Sequence, residues 1–150
     1  MRRVDIISEV RIMTRDLTNS VFRESDIIVF INQGIDRIKQ LISQLDGMVS
    51  LTAPNQEPII LPVKYHSLIS VFATARCFGQ DERHYQATTF MNEFETKMEE
   101  FRSAVENGEI VLTNPDATPI EGSYNIEYVD LDAYWSEEAT DLDSGIAGFW

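Results

Sequence analysis

The sequence predicts a mainly α-helical protein: a small four-helix bundle with a β-hairpin or a long loop between its second and third helices, followed by an extended C-terminal arm. Three observations lead there. Apolar residues recur at helical spacing in four successive segments. Those segments are bounded by residues that cap helices or turn the chain. Finally, the last basic residue is Arg102, and residues 108–150 hold ten Asp or Glu, no Lys or Arg, and six aromatics from Tyr124 onward. The chain therefore divides into a helical bundle core, residues 1–107, and an acidic, aromatic C-terminal extension, residues 108–150, expected to serve as strand and docking arm.

The first helix is expected over residues 3–17, where Val4, Ile7, Val10 and Met13 repeat with Ile6 and Ile12 beside them. DLTNSVFRE breaks that pattern. Ser25 is a good N-cap for a second helix beginning at Asp26, whose charge suits the positive end of the helix dipole. Its stripe of Ile27, Ile28, Ile31, Ile35, Ile38, Ile42 and Leu45 carries the helix to residue 45, and Gly47 is a natural stop.

Two apolar stretches, residues 48–53 and 58–61, flank PNQE and suit either a two-stranded projection or an irregular loop. Pro62 fits the first turn of a third helix that is apolar nearly all round through Cys77, with Gly79 as its end. The fourth helix, residues 82–106, repeats Ala87, Met91, Phe94, Met98, Phe101 and Val105 and stops at Asn107 and Gly108. Beyond it, EIVLT is strand-like, NPDATPIEGS is rich in turn residues, and SYNIEYVDLDAYW alternates with one shift of phase, as at a β-bulge.

Charge sets the two parts further apart. Residues 1–107 carry 15 acids and 12 bases, so most of the net charge of −13 comes from the extension. Disordered acidic tails are poor in aromatics, and this one is not. Its apolar side chains are too few to offset the entropy of ordering the segment alone, so it is expected to order against a partner or its own core. An acidic surface also disfavours phosphate binding, which depends on Lys and Arg releasing counterions.

No stretch approaches the roughly 20 apolar residues of a membrane span, and Asp5, Ser8 and Glu9 interrupt any signal-peptide run, so no membrane association or secretion is expected. The single cysteine, Cys77, excludes an internal disulfide and fits a reducing, intracellular setting.

Chemistry is sparse. His66, Cys77 and His84 have no zinc-motif spacing, and a cysteine in an apolar helix is normally an inert core residue. Glu93, Lys97 and Glu100 share a helical face, but the Glu-x-x-His element of carboxylate metal bundles is missing. A solvated i to i+4 ion pair is the plainer account. Met91, Phe94, Met98 and Phe101 suit a helix core better than an adaptable binding stripe. With no phosphate-binding loop, nucleophile elbow or HExxH motif, no enzyme, cofactor or metal site is expected, and an assembly protein is the default.

The order of elements, with SDIIVFINQGIDRIKQLI in the second helix and LPVKYHSLISVFATARCFG leading to the fourth, resembles the head-to-tail connector adaptors of tailed bacteriophages. The matching words are Ser25, Asp26, Ile31, Asn32 and Gly34 in the second helix, and Pro62, His66, Ala73 and Ala75 at and within the third. The likeness covers residues 1–107.

It implies a virion structural protein, made in the bacterial host cytoplasm and placed in the neck between capsid and tail. There a ring, typically dodecameric, would bind the portal protein, neighbouring subunits and a downstream tail or nozzle protein. DNA would pass through its channel without specific binding during viral genome packaging and ejection. C-terminal extensions of the family commonly dock on the portal, so Tyr124, Tyr128, Tyr134, Trp135, Phe149 and Trp150 are the expected portal-binding anchors here. Aromatics supply the buried area, and the acids between them select a basic groove. The competing reading is an acidic DNA mimic, or a regulatory protein that binds a basic partner. That reading calls for carboxylates arrayed over a folded surface, whereas these alternate with aromatics in one terminal segment.

Overall fold

A computed structural model describes residues 1–114 and 119–120, which are mainly helical. Four α-helices occur among them: α1 (Arg3–Thr14), α2 (Glu24–Leu41), α3 (Ser67–Gln80) and α4 (His84–Glu106), with 3-10 turns at Ser43–Leu45 and Val63–Tyr65. The hydrophobic stripes read from the sequence decide how they pack. Ten of the fourteen residues of α3 are buried, so it needs neighbours on several sides, and α4, α2 and α1 all pack against it.

α2 turns Ile27, Ile31, Ile35 and Ile38 inward, all at 0 % exposure, and α4 does the same with Phe94, Met98, Phe101 and Val105. Each such side chain contributes about 1.5 to 3 kcal/mol on burial. Aromatic pairs join α3 to α4: Phe72 meets Phe94 edge-on with ring centres 5.2 Å apart, and Phe78 stacks on Phe90 at 5.6 Å. Tyr65, in the turn before α3, stacks on Phe101 at 4.2 Å. Where α2 crosses α3, a Cβ on Gly34 would lie 3.1 Å from Phe72 Cδ1, so glycine is what lets the two helices approach.

Several expected boundaries move, each for a physical reason. α1 ends at Thr14 because Arg15 adopts a left-handed conformation, φ 61°. The chain then wraps around Asp16, whose carboxylate accepts the N–H groups of Ser20, Val21 and Phe22 at 2.9, 3.1 and 2.9 Å and the Arg11 guanidinium at 2.9 Å. Arg11 also donates to the Phe22 carbonyl at 3.0 Å. That knot buries Phe22 and delivers the chain into α2 early, so Arg23 rather than Ser25 is the N-cap. α2 stops at Leu41, where Ile42 turns extended, and Ile42 and Leu45 are buried from outside the helix. The third helix starts with a 3-10 turn after Pro62 and runs through Gly79 to Gln80, and α4 begins at His84.

Between α2 and α3 the loop, not the hairpin, is what forms: no strand occurs among the described residues. The backbone groups that a ladder would use are engaged elsewhere. The Leu51 N–H donates to Asn32 Oδ1 at 2.8 Å, and the Thr52 and Ala53 N–H groups donate to Gln56 Oε1 at 2.7 and 3.2 Å. Pro54, Pro58 and Pro62 have no N–H to give. The loop's own carbonyls serve α1, with Gln56 O and Pro54 O accepting the Arg3 and Val4 N–H groups at 2.9 and 3.1 Å. They thereby satisfy two of the four donors a helix start leaves open. Similarly, the strand-like stretch after α4 makes only an isolated antiparallel bridge, Thr113 with Pro119, among the described residues.

Candidate functional site

His66, Cys77 and His84 do different jobs in the fold. His66 is 3 % exposed, with Nε2 2.7 Å from the Leu61 carbonyl and Nδ1 2.9 Å from the Met1 ammonium. Burial, with the Met1 charge adding to it, holds the imidazole below its ordinary pKa, so the ring is a neutral strut between the loop and α3. Burial pushes the Cys77 thiol up to about 12, which leaves almost no thiolate for nucleophilic work. His84 lies exposed at the first turn of α4.

Three of the five carboxylates of α4 pair with a cation one turn away. Glu93 Oε2 lies 3.5 Å from Lys97 Nζ, and Arg102 lies 3.0 and 3.8 Å from Glu99 and Glu106, all half-exposed. Such i to i+3 and i to i+4 pairs contribute about 0.2 to 0.5 kcal/mol each. Of the methionine and phenylalanine stripe, Phe94, Met98 and Phe101 are core, and Met91 sits at the edge of a surface groove.

The six arm aromatics, Tyr124, Tyr128, Tyr134, Trp135, Phe149 and Trp150, lie outside the described residues, so their expected portal contacts are not placed. The root of the extension is placed. Leu112 is buried in the core, Ile110 and Ile120 pack against that core, and the Ile120 N–H donates to the Leu112 carbonyl at 2.7 Å. Whatever the extension does, it starts from a fixed point.

Two surfaces escape a reading of periodicity. The first is an open groove of about 610 Å³ between α3 and α4, lined by Ala75, Arg76, Gly79, Ala87 and Met91 and closed on one side by Phe30 of α2. Ala75, Gly79 and Ala87 are small, which leaves the groove open. The Arg76 guanidinium lies over the Phe30 ring, 5.7 Å from its centre, with no carboxylate partner among the described residues. The hint in the sequence is Arg76 itself, the one charge inside an otherwise apolar helix.

The second is a set of exposed apolar residues outside the helix stripes. Leu17 and Val21 lie in the α1–α2 turn, and Ile59 and Val63 lie at the end of the loop before α3. Leu17 and Val63 are 73 and 75 % exposed.

Among the described residues no group of His, Cys, Asp or Glu is arranged to hold a metal ion, and no helix is long and apolar enough to cross a membrane. No protein-family model, curated protein or solved structure matches this chain.

Proposed function

We propose that this protein is a structural head-to-tail adaptor of a tailed bacteriophage: a small four-helix bundle that assembles as a dodecameric ring in the virion neck. The ring binds the portal through the C-terminal arm and extends the DNA channel toward the tail. The observation that carries the reading is the division of the chain into two chemically unlike parts. A helical core that mixes 15 acids with 12 bases is joined to an extension that has ten acids, six aromatics and no Lys or Arg. Such an extension is built to find cations and an apolar groove on another surface.

The words shared with the adaptor family support it, because they mark places where this fold depends on residue type. Gly34 admits Phe72, Asn32 holds Leu51, and His66 ties Leu61 to the start of α3. A ring requires each subunit to present two complementary faces. Leu17, Val21, Ile59 and Val63 are among the exposed apolar residues available for them, as are Ile12, Val29, Val49, Tyr85 and Val111.

The alternative of an acidic mimic of DNA calls for carboxylates arrayed over a folded surface, whereas residues 1–107 mix 15 acids with 12 bases and most of the excess acid lies in the extension. A chain ending at Ile120 tests the arm. It is expected to keep its helical circular dichroism and its cooperative unfolding, and to lose co-sedimentation with particles bearing the portal. Unchanged co-sedimentation would assign portal attachment to the core.

A further inference from the structure

The groove around Arg76 combines features that a helical surface rarely exposes together. Beside the polar Gln80 and Thr88 it is lined by Phe30 and Met91, and the small Ala75, Gly79 and Ala87 leave room for a flat side chain. Its one charge is a guanidinium already stacked on Phe30, so its N–H edge stays open to a carboxylate. The chemistry that fits is an aromatic side chain with an acid next to it.

The chain contains that chemistry in residues 130–138, where Tyr134 and Trp135 sit between Asp130 and Asp132 on one side and Glu137 and Glu138 on the other. Tyr128 stands beside Glu127, but the eight residues from Glu121 to Tyr128 reach only about 27 Å when fully extended, and Phe149 and Trp150 have no acidic side chain nearer than Asp143. Reach is sufficient. The arm leaves from Ile120, fixed beside Leu112 shortly after α4 ends, and the groove lies back along α4 at Ala87 and Met91. The helix from Val105 back to Ala87 is about 27 Å long at 1.5 Å per residue. The 15 residues from Glu121 to Trp135 extend to about 50 Å.

We propose that the groove formed by Phe30, Arg76 and Met91 receives Tyr134 and Trp135 of its own chain, and so holds the C-terminal arm against the core in the free subunit. Attachment within one chain benefits from a high effective concentration, so weak contacts suffice and remain reversible. The arm's aromatic surface is thereby covered until a partner with a better basic groove competes for it. This inference stands apart from the portal reading, since it concerns the free subunit and holds whichever partner takes the arm.

Both tryptophans of the chain, Trp135 and Trp150, lie in the arm, which makes the test specific. A bimane fluorophore placed on a Thr88→Cys variant, at an exposed position lining the groove, is quenched strongly by a tryptophan close to it, and the constant, weaker quenching from Tyr85 on the same helix is the baseline that the truncated chain supplies. The buried Cys77 thiol does not compete for the label. The expected result is quenching in the full chain that is lost on truncation after Ile120, in Trp135→Phe and in Arg76→Glu, and kept in Trp150→Phe. Arg76 is exposed, so its replacement leaves the helix packing in place, which circular dichroism verifies.

Three results would overturn the proposal. One is an unquenched full chain. Another is quenching that depends on Trp150 in place of Trp135. The third is quenching that appears when labelled truncated protein is mixed with unlabelled full chain, because the occupant would then be a second copy.

Discussion

In the helical core, Arg2, Arg11, Arg23, Arg83, Lys97 and Arg102 each have a carboxylate oxygen between 2.8 and 3.8 Å away. Five of these cations pair with an acid no more than four positions away, and Arg11 pairs with Asp16 across five. In residues 108–150 there is no cation to pair with. The contrast shows that charge in this protein serves two purposes. In the core half of the twelve Lys and Arg are paired locally, at small net stabilisation, and of these pairs only Asp16 with Arg11 is buried deeply enough to hold the fold together. In the extension the charge is left unbalanced.

Removing residues 121–150 should abolish portal attachment while leaving the melting transition of the core near its original temperature. A large drop in that temperature would mean the extension is part of the core.

Within the core, Asp16→Ala should cost about 3 to 5 kcal/mol, because it strands a buried guanidinium and three N–H groups at once. Urea denaturation reads that loss directly, and a cost under about 1 kcal/mol would show the α1–α2 knot to be incidental. Burial alone pushes the Asp16 carboxyl up, but the N–H groups of Phe22, Val21 and Ser20 together with Arg11 outweigh it and hold it below the carboxylate range. Its stabilising contribution is therefore complete above the ordinary value of 3.8 and disappears as pH falls through the lower folded-state value.

Asn32→Ala leaves the Leu51 N–H without its partner and should cost about 1 to 3 kcal/mol, with amide exchange accelerating first at Leu51. His66 produces a milder, pH-dependent effect of the same sign as that of Asp16. Its folded-state pKa lies below the ordinary 6.5, so on acidification the unfolded chain takes up a proton before the folded chain does. Stability should fall as pH drops below 6.5, and His66→Gln should flatten that slope. An identical slope in the variant would place the titrating group elsewhere. The smallest effect belongs to Lys97→Ala, about 0.2 to 0.5 kcal/mol, which added salt should erase.

The parts of the fold legible in the sequence are those governed by short-range periodicity. The buried faces of α2 and α4 follow Ile27, Ile31, Ile35 and Ile38, and Phe94, Met98, Phe101 and Val105, as the spacing predicts. The end of α4 at Asn107, with Gly108 at φ 76°, follows from the preference for glycine in a left-handed position.

What periodicity misses are side chains that satisfy backbone groups across a turn or between elements. DLTNS looks like a simple break, yet Asp16 organises it, and Phe22 enters the core because of it. Asn32 looks like a polar position on a helix face, yet it fixes a loop 19 residues away. The hairpin alternative fails on the same account, because Asn32 and Gln56 take the N–H groups a ladder would need. The groove was hidden for a different reason: it exists only where α2, α3 and α4 meet, and a single helical stripe does not reveal it.

The most direct test of the adaptor account is the mass of the assembled chain, measured by native mass spectrometry alone and after mixing with its portal protein. The account predicts a 17.2 kDa monomer that joins the portal as a ring of matching copy number, and that fails to do so once residues 121–150 are removed. A chain that stays monomeric in the presence of the portal would contradict it.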